Sequence, residues 1–211
     1  MRQVNRKFKR NRVITPYKGY QVDLDTAHLH QYAKANSGYS YILAGIDCFS
    51  KEAHTVALKS LKTQELIPAL KSLLSKFSKI HNCRTDSGPE FKAQATRTLF
   101  KNLGINHFFT NNTETKANIV ERFFKTLKNI LFRYMVSKNT HKWIDQLEKI
   151  TNSYNNTYHS SIKQSPASVK PSDEYKIWKL LYETERPDEI KTKFKFNIHD
   201  TVRISVLKHQ F

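Results

Sequence analysis

Cysteine is scarce in this chain, with only Cys48 and Cys83 among 211 residues. Neither belongs to a CxxC pair, and no such pair is matched by spaced histidines. A disulfide framework and a structural zinc site are therefore not expected, and a reducing compartment fits. Long apolar runs are also missing, since none approaches the roughly 20 residues that span a bilayer. The basic N-terminus has no apolar segment behind it, which argues against secretion. Acidic residues are few as well: 18 against 36 Lys and Arg, a formal charge of +18. Charge of one sign in that amount repels itself unless a polyanion offsets it, and nucleic acid is the natural partner.

A core is nonetheless available. Hydrophobic residues make up 38% of the chain, including 13 Phe and 10 Tyr, which excludes wholesale disorder and fits one main domain with an extension. The first 12 residues carry Arg2, Arg6, Lys7, Lys9, Arg10 and Arg12 without an acid. This reads as an arm that stays unfolded until it meets phosphates, and also as a nuclear localisation signal.

The periodicities predict an ordered series of elements. Residues 20–27 and 39–47 read as a hairpin turning at Asn36-Ser37-Gly38, and 52–58 as a third strand. Leu66, Leu70, Leu73, Leu74 and Phe77 mark a helix over 63–80. A short strand at 82–85, a helix over 89–103 stopped by Gly104, and a strand at 105–109 follow. Two more helices are expected, from about 116 to 136 and, with Thr140 as N-cap, from 140 to 158. Three antiparallel-looking strands followed by alternating elements argue for a mixed sheet with helices on both faces.

Three acids stand at ends of apolar strands or on a helix flank. Asp23 lies in the first strand, Asp86 ends the short strand Cys83-Arg84-Thr85, and Glu121 follows Asn118-Ile119-Val120. On the long helix, Val120, Phe123, Phe124, Leu127, Leu131 and Tyr134 form an apolar arc, while Glu121, Lys125 and Lys128 form the stripe beside it. An ordinary Glu–Lys pair on a solvated face is the plain alternative for Glu121. Asp25 competes with Asp23, because residues two apart in a strand point the same way. Pattern alone leaves both open. Asp47, at the end of the second strand, reads as a structural hydrogen-bonding acid.

The company of these acids is specific. The segments YQVD (20–23), YILAGIDCFSK (41–51), TDSGPEF (85–91), KANIVERFFKTLK (116–128) and YNNTYHSSIKQSP (154–166) occur in order, and 35 positions separate Asp86 from Glu121. Over residues 17–170 the chain resembles the catalytic core of retroviral integrases and of the integrases of Polinton (Maverick) DNA transposons. The resemblance implies an RNase H-like α/β fold, a mixed five-stranded sheet flanked by helices, with a short C-terminal β segment. It also selects Asp23, through the aromatic-Gln-x-Asp match, as the first of three metal-ligating catalytic acids with Asp86 and Glu121.

Three gathered carboxylates repel one another unless protonated or bound to a cation, and two Mg²⁺ (or Mn²⁺) ions answer with the chemistry of in-line displacement at phosphorus. The activity implied is that of a mobile-element polynucleotidyl transferase, trimming a 3′ end and joining it to target DNA. A catalytically inactive or domesticated DNA-binding copy is the alternative. An RNase H-type nuclease would need a fourth acid after the long helix, where Asp145 and Glu148 stand without a convincing pattern. Lys116, Asn118, Arg122, Lys125 and Lys128 are the expected DNA contacts, and the implied partners are DNA and further copies of the chain, in the nucleus. The expected organisation is a basic arm (1–16), the core (17–170), a linker (171–192) and the first strands of a truncated SH3-like barrel (193–211).

Overall fold

A computed structural model describes residues 13–110, 118–183 and 201. The basic arm up to residue 12, Lys116 and the barrel-like tail lie outside the described residues, Thr201 excepted.

Five strands form one sheet: β1 (Gln21–His28), β2 (Tyr41–Asp47), β3 (Ala53–Leu58), β4 (Asn82–Thr85) and β5 (Asn106–Phe109), in the order β3-β2-β1-β4-β5. β1, β2 and β3 pair antiparallel, and β4 and β5 join parallel. The helices are α1 (Thr63–Leu74), α2 (Pro89–Lys92), α3 (Gln94–Asn102), α4 (Asn118–Ser137), α5 (Ile144–Asn156) and α6 (Glu174–Trp178). This is the expected mixed sheet with helices on both faces.

Alternation along β1 decides which helices each residue meets. Val22 and Leu24 pack with Leu66, Leu70, Leu73, Phe91 and Phe100 from α1, α2 and α3. Ala27 lies on the opposite face with Ile42, Ala44 and Ile46 of β2, under Val120, Phe123, Leu127 and Leu131 of α4 and Leu147 of α5. The odd positions of β1, Asp23 and Asp25 included, therefore point toward α4. The apolar arc expected on α4 is buried as read, apart from Tyr134, which is only partly covered.

The structure differs from the sequence reading at several ends. The helix expected over 89–103 breaks at Ala93, whose extended backbone (ψ 140°) separates α2 from α3. The Thr96 hydroxyl donates to the Glu90 carbonyl at 2.8 Å across the break, and Gly104, at φ +67°, stands where the C-terminal stop was expected. Helix α5 starts at Ile144 rather than near Thr140. Its cap is remote: Asn36 Oδ1 accepts from the N–H groups of Trp143 (2.7 Å) and Ile144 (3.0 Å). The stretch 171–183, expected to be linker, is helical, and Ile177 is buried against Phe49, Ile162 and Val169.

The edge strand β3 is covered by α5. The Asn155 side chain accepts from the Ala53 N–H at 2.9 Å and donates to the Ala53 carbonyl at 2.7 Å, and the Thr55 and Thr151 hydroxyls meet at 2.8 Å. Both groups of an edge residue are thus satisfied without another strand. Among the described residues, no helix is long and apolar enough to cross a membrane.

Candidate active site

β1 and β4 are the parallel neighbours at the centre of the sheet, and their register pairs Gln21 with Asn82, Val22 with Cys83 and Asp23 with Arg84. The same offset carries Asp25 to Asp86, one residue past the end of β4. Both then share the face covered by α4, whose first turn supplies Glu121. Asp86 and Glu121 are exposed, and Asp25 is half-buried.

Electrostatics tie these three together. Burial raises the Asp25 carboxyl, and the charges of Asp86 and Glu121 raise it further, to about 6, against the lowering effects of the Thr26 N–H and of Lys128. That N–H donates to Asp25 Oδ1 at 2.7 Å. The rise is chiefly the cost of burying a charge, to which the neighbouring carboxylates add.

Asp23, which the aromatic-Gln-x-Asp match selects, lies two residues earlier on β1, beside Arg84. Its carboxylate is wholly buried and gripped on both oxygens by Arg84: Nε donates to Oδ1 at 2.9 Å and Nη2 to Oδ2. Gln21 Nε2 adds a third bond to Oδ1 at 2.9 Å. Both Asp23 oxygens are thus engaged within the protein, whereas Asp25 feels the charges of Asp86 and Glu121. Strand parity had left the two aspartates equal, and the pairing with β4 separates them.

Asp47 has the structural role read for it. Its side chain accepts from the backbone N–H groups of Gly19 (2.7 Å), Phe49 (3.1 Å) and Ser50 (2.6 Å) and from the Ser50 hydroxyl (2.8 Å), fixing the turn after β2. Burial raises this carboxyl, and those bonds oppose the rise.

The turn after β4 holds one acid more than the triad. Gly88 N–H donates to Asp86 Oδ1 at 3.0 Å. A Cβ on Gly88 would fall 2.6 Å from Glu90 Oε2 and 3.0 Å from Asp86 Oδ1, so glycine makes room for two carboxylates. Glu90 Oε1 accepts from the Thr26 hydroxyl at 3.3 Å, next to Asp25. Glu90 stands in the TDSGPEF segment, and its place beside Asp86 and Thr26 follows from the fold of the turn.

Of the expected DNA contacts, Arg122 and Lys125 are exposed on α4, and Lys128 lies partly over the Phe124 ring at 5.9 Å, close enough to bear on Asp25. Asn118 begins α4, and its side chain lies outside the described residues. Asp145, the nuclease alternative's candidate, is an exposed acid paired with Lys142 at 2.7 Å.

The donor set suits a hard divalent cation, being all carboxylate, and a cation would relieve the crowding that lifts Asp25. Among the described residues, no three His, Cys, Asp or Glu side chains are drawn together into a ready metal cluster.

A mixed five-stranded sheet flanked by helices, in this order, is the RNase H-like fold of integrase catalytic cores. The HTLV-2 integrase catalytic core domain, solved in complex with magnesium, matches with a TM-score of 0.61 at 19% identity, covering 72% of this chain and 97% of that one. The simian T-cell lymphotropic virus intasome matches at 0.68 and 16% identity, over 85% of this chain and 60% of that one.

Residues 17–114 match the family model of the integrase core domain. A transposon-derived protein of Caenorhabditis elegans is 30% identical over 184 residues, 87% of this chain and 61% of that protein. The retrovirus-related Pol polyprotein of the gypsy transposon of Drosophila melanogaster is 28% identical over 129 residues, 60% of this chain and 12% of that protein. The chain therefore spans less than two thirds of these curated relatives.

Proposed function

We propose that the chain is the catalytic core of a mobile-element integrase, a polynucleotidyl transferase of the kind found in Polinton-type transposons, with Asp25, Asp86 and Glu121 as its metal-holding acids. The observation that carries this reading is the raised Asp25 carboxyl, lifted first by burial and then by Asp86 and Glu121. The family match over residues 17–114 supports it.

Two Mg²⁺ or Mn²⁺ ions held by these carboxylates would supply Lewis acidity at phosphorus and an activated oxygen nucleophile. The chain's own residues do the rest. Asp25 of β1, Asp86 just past the end of β4 and Glu121 in the first turn of α4 would supply the carboxylates. Lys125 and Lys128, on the same helix stripe as Glu121, offer positive charge to a DNA backbone laid along it. The partners of this reading are DNA, both element end and target, and further copies of the chain, since two ends must be joined together. Its place of work is the nucleus, which the basic arm would favour.

The test is Mn²⁺-dependent strand transfer from a donor oligonucleotide. D25N, D86N and E121Q proteins should each still bind DNA and lose transfer by about a hundredfold or more, a loss of several kcal/mol of metal-assisted stabilisation. Full activity in any one of them would remove that residue from the assignment. DNA binding by the unaltered chain with no Mn²⁺-dependent cutting or joining would favour the non-catalytic reading instead.

A further inference from the structure

Next to the proposed acidic group stands an ion pair, Asp23 with Arg84. Asp23 and Arg84 face each other across β1 and β4, two residues before Asp25 in β1 and before Asp86, which follows the end of β4. Asp23 is fully buried and Arg84 nearly so. The guanidinium fork meets both carboxylate oxygens, and Gln21 Nε2 fixes the orientation by a further bond to Oδ1 at 2.9 Å. Gln21 also approaches Cys48 Sγ at 3.7 Å, tying the cluster to the turn after β2.

This arrangement does two things for its neighbours. It fixes the lateral relation of the two strands that carry Asp25 and Asp86, since a two-pronged pair tolerates little sliding. It also keeps the Arg84 guanidinium engaged on Asp23. Freed from Asp23, the Arg84 guanidinium is one alternation step from two carboxylates and is itself a good partner for either.

We infer that Asp23 and Arg84 are positioning residues for the acidic site: the pair sets the spacing of Asp25 and Asp86 and keeps the Arg84 guanidinium off them, leaving both carboxylates open to a divalent cation. The inference rests on the reading of Asp25, Asp86 and Glu121 as cation ligands. Residues that orient metal ligands without touching the metal commonly change metal affinity by about 10–100-fold, and the same scale applies here.

The experiment is Mn²⁺ titration of the full chain, followed by the paramagnetic resonance of free Mn²⁺, with thermal melting of each protein alongside. D23N, which leaves the guanidinium unpaired, should weaken Mn²⁺ binding about tenfold or more. D23N/R84Q, which removes the stray guanidinium but not the loss of the fork, should bind Mn²⁺ several-fold better than D23N and still less well than wild type. R84K keeps the charge and loses the fork, and should weaken Mn²⁺ binding while still melting cooperatively, so the test survives if D23N does not fold. Mn²⁺ affinity unchanged in folded D23N or R84K, or a double variant as weak as D23N, overturns the inference and leaves the proposed function standing. Failure of the wild-type chain to take up Mn²⁺ at all overturns the metal reading, and this inference with it.

Discussion

Asp23 and Arg84 are partners in the β1–β4 register and are joined side chain to side chain, Arg84 Nε donating to Asp23 Oδ1 at 2.9 Å; the same offset carries Asp25 to Asp86, one residue past the end of β4. Asp25 is half-buried and its carboxyl is raised to about 6, with Asp86 and Glu121 among the causes. Four expectations follow from this site and its surroundings.

The raised carboxyl is a stability statement. Asp25 binds a proton more tightly in the folded chain (about 6) than at its ordinary value of 3.8, so its favourable contribution is full below about pH 4 and is lost as pH rises through 6. In EDTA at pH 7, D25N should therefore be more stable than wild type by about 1–3 kcal/mol, and at pH 4 the gap should shrink. Adding Mn²⁺ at pH 7 should raise the melting temperature of wild type and not that of D25N. Scanning calorimetry at the two pH values, with and without Mn²⁺, reads all of this.

Gly88 has an ordinary backbone, with φ −56°, so an alanine there strains no dihedral. Its methyl would instead displace the Asp86 and Glu90 carboxylates. G88A should melt within about 1 kcal/mol of wild type, since both displaced groups are flexible side-chain ends. Strand transfer should nonetheless fall about tenfold or more, because small misplacements at a reacting centre are expensive. Equal activity in G88A and wild type would show that the cradle is dispensable.

Asn36 is fully buried. Its amide donates to the carbonyls of Tyr32 (2.7 Å) and His141 (2.9 Å), and its oxygen caps α5. N36A leaves all four backbone groups without that partner and should destabilise the chain by about 2–4 kcal/mol. Denaturant unfolding checks this, and a loss under 1 kcal/mol would mean that the start of α5 finds other partners.

Lys125 and Lys128 test the DNA face. K125Q and K128Q should each weaken duplex binding irrespective of sequence and reduce the slope of log K against log salt by about one. A salt titration of binding by fluorescence anisotropy reads the slope. Unchanged slopes in both would move the DNA path off this stripe.

How much of this the sequence disclosed follows from the range of the interactions involved. The strands, the apolar arc of α4 and the Gly104 stop were legible because period and turn chemistry are local. The break at Ala93 was not, since it depends on Phe91 being drawn into the core and on a Thr96 hydroxyl taking up the Glu90 carbonyl. Asp86 and Glu121 were found from their flanking motifs. The motif selects Asp23 where the proposed site takes Asp25, because the choice depends on how β1 slides against a strand some 60 residues away, which no pattern within β1 records. Glu90 was overlooked for a related reason: only the fold of the turn brings it beside Asp86 and Thr26.

The cap that Asn36 lends to α5 bears on how the chain can be divided. α4 and α5 are adjacent in sequence and look like a helical hairpin that would stand by itself. Yet the opening turn of the second helix is completed by a side chain that precedes it by more than 100 residues. A fragment holding only the two helices would begin α5 frayed, and in the growing chain that helix waits for a loop made long before it. The hairpin is contiguous without being autonomous.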